Sequence, residues 1–459
     1  MEATQIREVS ISSKAPMLVG EKLAGRSVSL ILFAALLVNA AIVLVALPKL
    51  SGRLTPAYNT SWGDLYDQIA WNLDHGNGYR VEPAMGSTML REPGYPLLLA
   101  AVFELGGYGV QQARAICVLL AFGAALMLLR LTRRITSNAM TALAAALLFL
   151  LYPGILVAEA HAGIEIPSMF TVLLFILAFY SAVEKGSLWR YGAAGLLLGV
   201  AVLIRNEVLL FPLFLFVYLI FTSKSSSERV KAVLRMAVLG LGTVIVMSPW
   251  IIRNYRLVHK FVPGATVAGV AAQEGLYSCE NPSQPFAEAE TSAGFERDAI
   301  ARQLGKPFLG PYYQLFYTPQ DEVAFNQVLL SRVSTEYRSH PEVLAGCAMK
   351  NLFFNFWFLG KKRQSVLLNV LVQAPLLGLA LAGVVVLRKR GLLHKAGIIL
   401  LYILYIPMVH APIIAHARHS TLIVPFLAIL AAVSLVAAWR ALRIRNAPAR
   451  FEQTPSAEL

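Results

Sequence analysis

The sequence predicts an all-α integral membrane protein, a bundle of about ten membrane-spanning helices. Three observations carry that reading. Only 14% of the 459 residues are charged and 57% are hydrophobic, whereas a soluble domain carries about 25% charged residues. The apolar residues fall in blocks, and mean hydropathy is +0.61. Several blocks are long enough to cross a hydrocarbon core of about 30 Å, which needs about 20 helical residues. Those at 28–48, 135–158 and 364–387 contain no Asp, Glu, Lys or Arg. A water-soluble globule and a disordered chain are both excluded.

Spans are expected at 28–48, 111–130, 135–157, 164–183, 190–204, 208–222, 236–252, 364–387, 396–415 and 420–439. The first starts too late and runs too long for a signal peptide, and no small-x-small cleavage site follows it. It is expected to remain as a span. The arms 190–204 and 208–222 are short, and Arg205-Asn206-Glu207 separates them. They read as a hairpin turning near one membrane face. The polar tail after Ala447 is expected to lack structure.

The net charge is +14, from 40 Lys and Arg against 26 Asp and Glu. The basic residues flank apolar blocks, which is how a membrane protein fixes its orientation, so no nucleic-acid partner is expected. Arg130, Arg133 and Arg134 follow the second span, and Lys185 and Arg190 the fourth. Lys224, Arg229, Lys231 and Arg235 follow the sixth, Arg388, Lys389, Arg390 and Lys395 the eighth, and Arg440, Arg443, Arg445 and Arg450 the tenth. With ten spans all five clusters share one side, which the positive-inside rule makes cytoplasmic.

The organisation then follows. Residues 1–27 form a cytoplasmic segment, and 28–252 a transmembrane bundle with an outer loop at 49–110. Residues 253–363 form an outer cap, 364–440 the C-terminal spans and 441–459 a cytoplasmic tail. The cap holds Cys279 and Cys347, while Cys117 lies in a span. A disulfide between the two cap cysteines and a pair of free thiols both fit, since spacing does not fix connectivity. Asn326–Tyr337 fits one amphipathic helix, with a restart at His340-Pro341-Glu342.

Chemistry is expected in the outer loops. Residues 64–73 fit an interfacial helix with Leu65, Ile69 and Leu73 as its apolar stripe, which would set Asp64 and Asp67 three apart on one face. A carboxylate there either accepts a proton from a hydroxyl nucleophile or, at Asp64, caps the helix. Histidines 410, 416 and 419 gather near one outer turn, and Glu159 and His161 at another. A divalent cation needs three or four converging ligands. Pro412 interrupts the first group, so the histidines are expected to line the outer cavity, with a cation as the alternative. No zinc-ligand cysteine spacing or Walker-type phosphate loop is present.

The run Asp64-x-Tyr66…Ala70…Asn72-Leu73…Gly76-x-Gly78-Tyr79…Arg91-x-Pro93-Gly94-Tyr95-Pro96 resembles the first outer loop of the GT-C glycosyltransferases. The closest pattern is that of the protein O-mannosyltransferase-like and lipid A aminoarabinose-transferase-like branch. Tyr152-Pro153 followed by Glu165 resembles the family's second outer turn, and Leu203-Ile204-Arg205-Asn206-Glu207 its hairpin, with Asn where Pro is common. Pro249-Trp250-Ile251-Ile252-Arg253-Asn254-Tyr255 is the most specific match. Arg418 before the last span, with Pro425 inside it, resembles the closing pattern. The resemblance covers roughly 25–440 and is weakest at 265–350, where acceptor specificity is expected.

The resemblance implies a GT-C-like bundle with a small periplasmic cap in a bacterial inner membrane. It also implies an inverting transfer of a sugar from a polyprenyl-phosphate carrier to an acceptor hydroxyl or phosphate on a lipid, glycan or protein. Asp64 is then the base, with Asp67 in reserve and Glu165 as a second acid. Arg91, Arg205 and Arg253 become the cations for the leaving phosphate, and Tyr66, Tyr95 and Arg418 complete the binding set. Two alternatives are a membrane polysaccharide polymerase or ligase, and a lipid-linked-sugar transporter or flippase. The Asp64 run disfavours the first. The lack of an internal repeat and the edge position of the charges disfavour the second.

Overall fold

A computed structural model describes residues 15–54, 64–281, 284, 286–310, 314–359 and 363–445. Residues 446–459 of the expected tail and 1–14 of the expected N-terminal segment lie outside the described residues. The architecture is helical apart from one antiparallel pair, Phe308–Leu309 with Leu315–Phe316, in which Phe308 faces Phe316. The chain is a multi-pass membrane protein.

Among the described residues, seven helices are long and apolar enough to cross a membrane: Ser27–Leu50, Val110–Thr136, Glu165–Lys185, Ser226–Val258, Val366–Lys389, Leu393–His410 and Ala417–Arg443. An eighth span arises if Ala139–Leu150 and Pro153–Ala160 count as one, although they meet at 47°. Of the ten expected spans, seven are therefore full-length helices, one is this bent pair and two are shorter apolar helices. Pro153 supplies the break, because its ring cannot continue a helix, and Tyr152 before it is extended. Leu188–Ile204 has 17 residues, which reach about 25 Å at about 1.5 Å each. Asn206–Thr222 is similarly short. These are the two hairpin arms, parted where Arg205 adopts φ −143° and ψ 121°.

The short arm Leu188–Ile204 survives by packing its backbone onto Ser226–Val258. A Cβ at Gly195 would lie 2.0 Å from the Leu239 carbonyl, and one at Gly242 would lie 2.6 Å from the Gly192 carbonyl. Small residues at both surfaces let the helices touch, which is how membrane helices associate without a hydrophobic drive between them.

Four of the five basic loops meet at one end of the bundle. Arg134 pairs with Glu184, Arg235 reaches the Gly186 carbonyl at 3.4 Å, and Tyr180 donates to the Lys395 carbonyl at 2.9 Å. The opposite end carries two shorter helices of the first outer loop, Tyr66–Asp74 and Gly94–Gly106. There too sits a helical segment, Val267–Glu280, Phe286–Gln303, Pro319–Ser339 and Pro341–Lys350. The expected amphipathic helix is the longer Pro319–Ser339, and Pro341 restarts the chain as anticipated.

That segment has its own apolar centre, in which Val270, Ile300, Phe316, Phe325 and Leu329 are buried. A disulfide joins Cys279 to Cys347 with Cα atoms 5.5 Å apart, which decides between the two cysteine alternatives. The segment docks on the bundle through Gly275, where a Cβ would meet the Ile413 carbonyl at 1.7 Å.

Candidate active site

Asp64 does not cap the first-loop helix. Leu65 is the N-cap residue, and its φ of 70° is left-handed. That reversal takes Asp64 off the helix, so the two aspartates acquire different partners. Asp64 Oδ2 lies 2.9 Å from Arg418 Nη2. Asp67 is buried on the helix and its Oδ2 accepts from Tyr108 at 3.1 Å. Burial pushes the Asp67 carboxyl up, and burial followed by the Asp67 charge pushes Tyr108 up to about 12. The expected apolar stripe is present, with Ile69 fully buried and Leu65 and Leu73 packed beside it.

Arg91 holds the backbone at this point. Its Nε donates to the Asp64 carbonyl at 2.8 Å, and its guanidinium lies 5.0 Å over the Tyr66 ring. Tyr66 in turn meets Tyr95 edge-on at 5.4 Å, and Tyr95 donates to the Ala162 carbonyl. These three residues build the floor beneath Asp64.

Glu165 opens its span, as expected, and is 2% exposed. Its carboxylate receives Arg418 Nε and lies 3.5 Å from Arg205 Nη1. Arg205 also pairs with Glu207, which lies 3.4 Å from His410 Nε2. The result is an alternating chain, Asp64–Arg418–Glu165–Arg205–Glu207–His410. A buried carboxylate is tolerated only when paired, and here Arg418, Glu165 and Arg205 each have an opposite charge on both sides. The Arg205 side chain is 12% exposed, against 44% for Arg418 and 36% for Asp64. Arg418 and Asp64 are therefore the most solvent-exposed members of the chain.

Arg253 stands apart from this chain. Its Nη1 donates to the Thr88 carbonyl and to Asn254 Oδ1, both at 2.9 Å, and its guanidinium lies between Trp250 at 4.6 Å and Tyr79 at 5.1 Å. The structure thus brings together Asp64, Glu165, Arg205, Arg418, Arg91, Tyr66 and Tyr95, and gives Asp67 and Arg253 other partners.

Sequence reasoning missed one buried group. Glu322 accepts from Thr88 Oγ1 at 2.6 Å, from the Met89 amide at 3.0 Å and from Thr266, and burial pushes its carboxyl up. It pins the outer segment to the first outer loop. No local pattern announces it, because its partner Thr88 lies 234 residues away.

The outer histidines stack, with His410–His419 centroids at 4.2 Å and His416–His419 at 4.1 Å. Among the described residues, no three His, Cys, Asp or Glu side chains converge as a metal requires.

The profile of the dolichyl-phosphate-mannose-protein mannosyltransferase family matches residues 91–252. No curated protein sequence matches the chain. Among solved structures, the oligosaccharyltransferase AglB from Archaeoglobus fulgidus, in complex with an inhibitory peptide and a dolichol-phosphate, superposes with a TM-score of 0.54. It is 15% identical, over 93% of this chain and 51% of that one. A second structure of an oligosaccharyltransferase from that organism, tethered to an acceptor peptide, gives 0.50 at 15% identity, over 84% and 46%. ArnT from Cupriavidus metallidurans bound to undecaprenyl phosphate superposes more loosely, at 0.36 and 15% identity, over 88% and 79%. The chain spans about half the length of the archaeal proteins it matches.

Proposed function

We propose that this chain is a member of the GT-C glycosyltransferase superfamily, and that it transfers a sugar from a polyprenyl-phosphate donor to an acceptor on the non-cytoplasmic face of a bacterial inner membrane. The observation that carries the reading is the Asp64–Arg418 pair. An accessible carboxylate and an accessible guanidinium sit side by side at the end of the bundle opposite the basic loops.

Asp64 accepts the acceptor proton while the acceptor oxygen attacks the anomeric carbon. The bond from that carbon to the phosphate oxygen breaks, and the polyprenyl phosphate leaves with the electron pair. One displacement inverts the anomeric centre. Arg418 offsets the charge growing on the phosphate, where a charge-assisted and bidentate contact is strongest. Arg205 acts behind it, because its side chain is 12% exposed against 44% for Arg418. The sugar is a hexose or a pentose. The acceptor is a hydroxyl or phosphate of a lipid, glycan or protein, and the outer segment at 253–363 closes over it.

The test is mass spectrometry of cell envelopes from cells carrying the wild type, no protein, or Asp64→Asn. A sugar-sized mass lost in both of the latter supports the reading and sizes the sugar. A mass lost without the protein but kept by Asp64→Asn removes Asp64 as base. An envelope unchanged in every case overturns the transfer reading.

A further inference from the structure

The ion-pair chain ends on His410, whose ring is buried. Its Nδ1 lies 2.9 Å from the Ile406 carbonyl, and its Nε2 lies 3.4 Å from Glu207 Oε1. A carbonyl oxygen cannot donate. Glu207, which accepts from the Arg205 guanidinium on that same oxygen, is held as a carboxylate and cannot donate either. Both ring nitrogens therefore face acceptors. A neutral imidazole carries one N–H, so either tautomer sets a nitrogen lone pair against an oxygen. The imidazolium, with two N–H groups, satisfies both contacts. The position suits a cation as well, since His410 closes the helix Gly397–His410 and the last turn of a helix favours positive charge.

Three other elements pack against the ring. Glu207, with Arg205 behind it, faces it from the hairpin. His419 stacks on it at 4.2 Å from the turn before the last span, and His416 follows in the stack at 4.1 Å. Phe356 lies 5.7 Å away, on the stretch that leads out of the outer segment. Glu207 is the acid of this group. The chain then balances along its whole length. Asp64, Glu165 and Glu207 supply three negative charges, and Arg418, Arg205 and His410 three positive ones. The sum is zero only while His410 keeps both N–H groups.

We propose that His410 is a positioning residue which, as the last cation of this chain, sets the affinity of the site for an anionic lipid-phosphate donor. The inference rests on the transfer reading above. When His410 loses a proton the chain is left one negative charge in excess, which opposes an incoming phosphate. Glu207 then holds Arg205 alone, and Glu165, which shares Arg205, depends more on Arg418. Arg418 is the exposed guanidinium, so a stronger hold by Glu165 withdraws it from the phosphate. Both effects act on binding. His410 is separated from Asp64 by four members of the chain, so it acts through them and not on the reacting atoms.

The experiment measures binding of undecaprenyl phosphate to the purified full chain in detergent across a pH series. Wild type, His410→Gln and the double variant His410→Gln with Glu207→Gln are compared, and thermal unfolding checks that each is folded. The double variant removes both terminal charges and returns the chain to zero, and it carries the lipid phosphate's own titration as a baseline. His410→Gln is expected to bind about tenfold more weakly than the double variant, the scale of one unit charge a few side chains away at an effective dielectric of about 20. Wild-type affinity should follow the double variant at the acid end of the series and His410→Gln at the alkaline end. A wild type that keeps a constant ratio to both variants at every pH overturns the proposal. So does a double variant that binds no better than His410→Gln, which marks a packing role. If one variant does not fold, the pH dependence of the wild type's ratio to the other decides. If the wild type does not bind undecaprenyl phosphate at any pH, the donor reading falls and this inference with it. Binding without the crossover removes His410 alone.

Discussion

The two arginines on Glu165 differ in surroundings, and their removal should separate stability from chemistry. Arg205 is 12% exposed and bridges Glu165, 3% exposed, and Glu207, 24% exposed. Removing one partner of a buried ion pair costs about 3–5 kcal/mol. Glu165 keeps Arg418 and Glu207 keeps His410, so Arg205→Gln belongs at the low end, about 3 kcal/mol. Arg418 is 44% exposed, and its contact with Asp64 is open to solvent. Exposed pairs contribute about 0–1 kcal/mol, and Glu165 retains Arg205, so Arg418→Gln should cost about 1 kcal/mol. The difference, about 2 kcal/mol, is about 30-fold in the folding equilibrium. Transfer should follow the opposite order. Losing one donor to developing charge costs about 10²–10³-fold in rate, and Arg418 is the accessible donor. The assay pairs thermal unfolding in detergent with sugar incorporation into membranes. Equal destabilisation by the two variants, with normal transfer by Arg418→Gln, would refute the reasoning.

Other expectations concern the outer segment and the bundle. Glu322 has its proton affinity raised by burial, so its contribution to stability is full below its unfolded value of about 4.3 and is lost as pH rises through the folded value. Glu322→Gln, which mimics the protonated form, should gain on the wild type as pH rises in a melting series; a constant gap would sink this account. Replacing Cys279 with Ser opens a link across 68 residues and should cost about 2–4 kcal/mol, read as faster proteolysis of 267–350, whereas unchanged resistance would argue against a structural role. Gly195→Leu drives a side chain into the Leu239 carbonyl; overpacking typically costs about 1–3 kcal/mol, and a variant as monodisperse in detergent as the wild type would contradict the packing.

Most of the helices were legible in the sequence, because apolar runs without charges can satisfy their backbone polar groups in a membrane only as helices. The hairpin at Arg205 and the start of a span at Glu165 were legible for the same local reason. The sequence did not show the 47° bend at Pro153 within the span expected at 135–157, nor that the short arm Leu188–Ile204 packs its backbone onto Ser226–Val258. Those outcomes depend on how neighbouring helices pack. The similarity of Asp64 and Asp67 as candidates was also a sequence view. Only the left-handed turn at Leu65 gave one to Arg418 and the other to Tyr108.

By itself the sequence determined a membrane bundle with its basic loops at one end and its candidate acids and cations at the other. Tertiary structure decided which of those charges meet. Arg418 and Glu165 are 253 residues apart, and no spacing or periodicity along the chain encodes that pair. It forms because charges left at the end of an apolar bundle must be matched by whichever opposite charges the packing brings within reach.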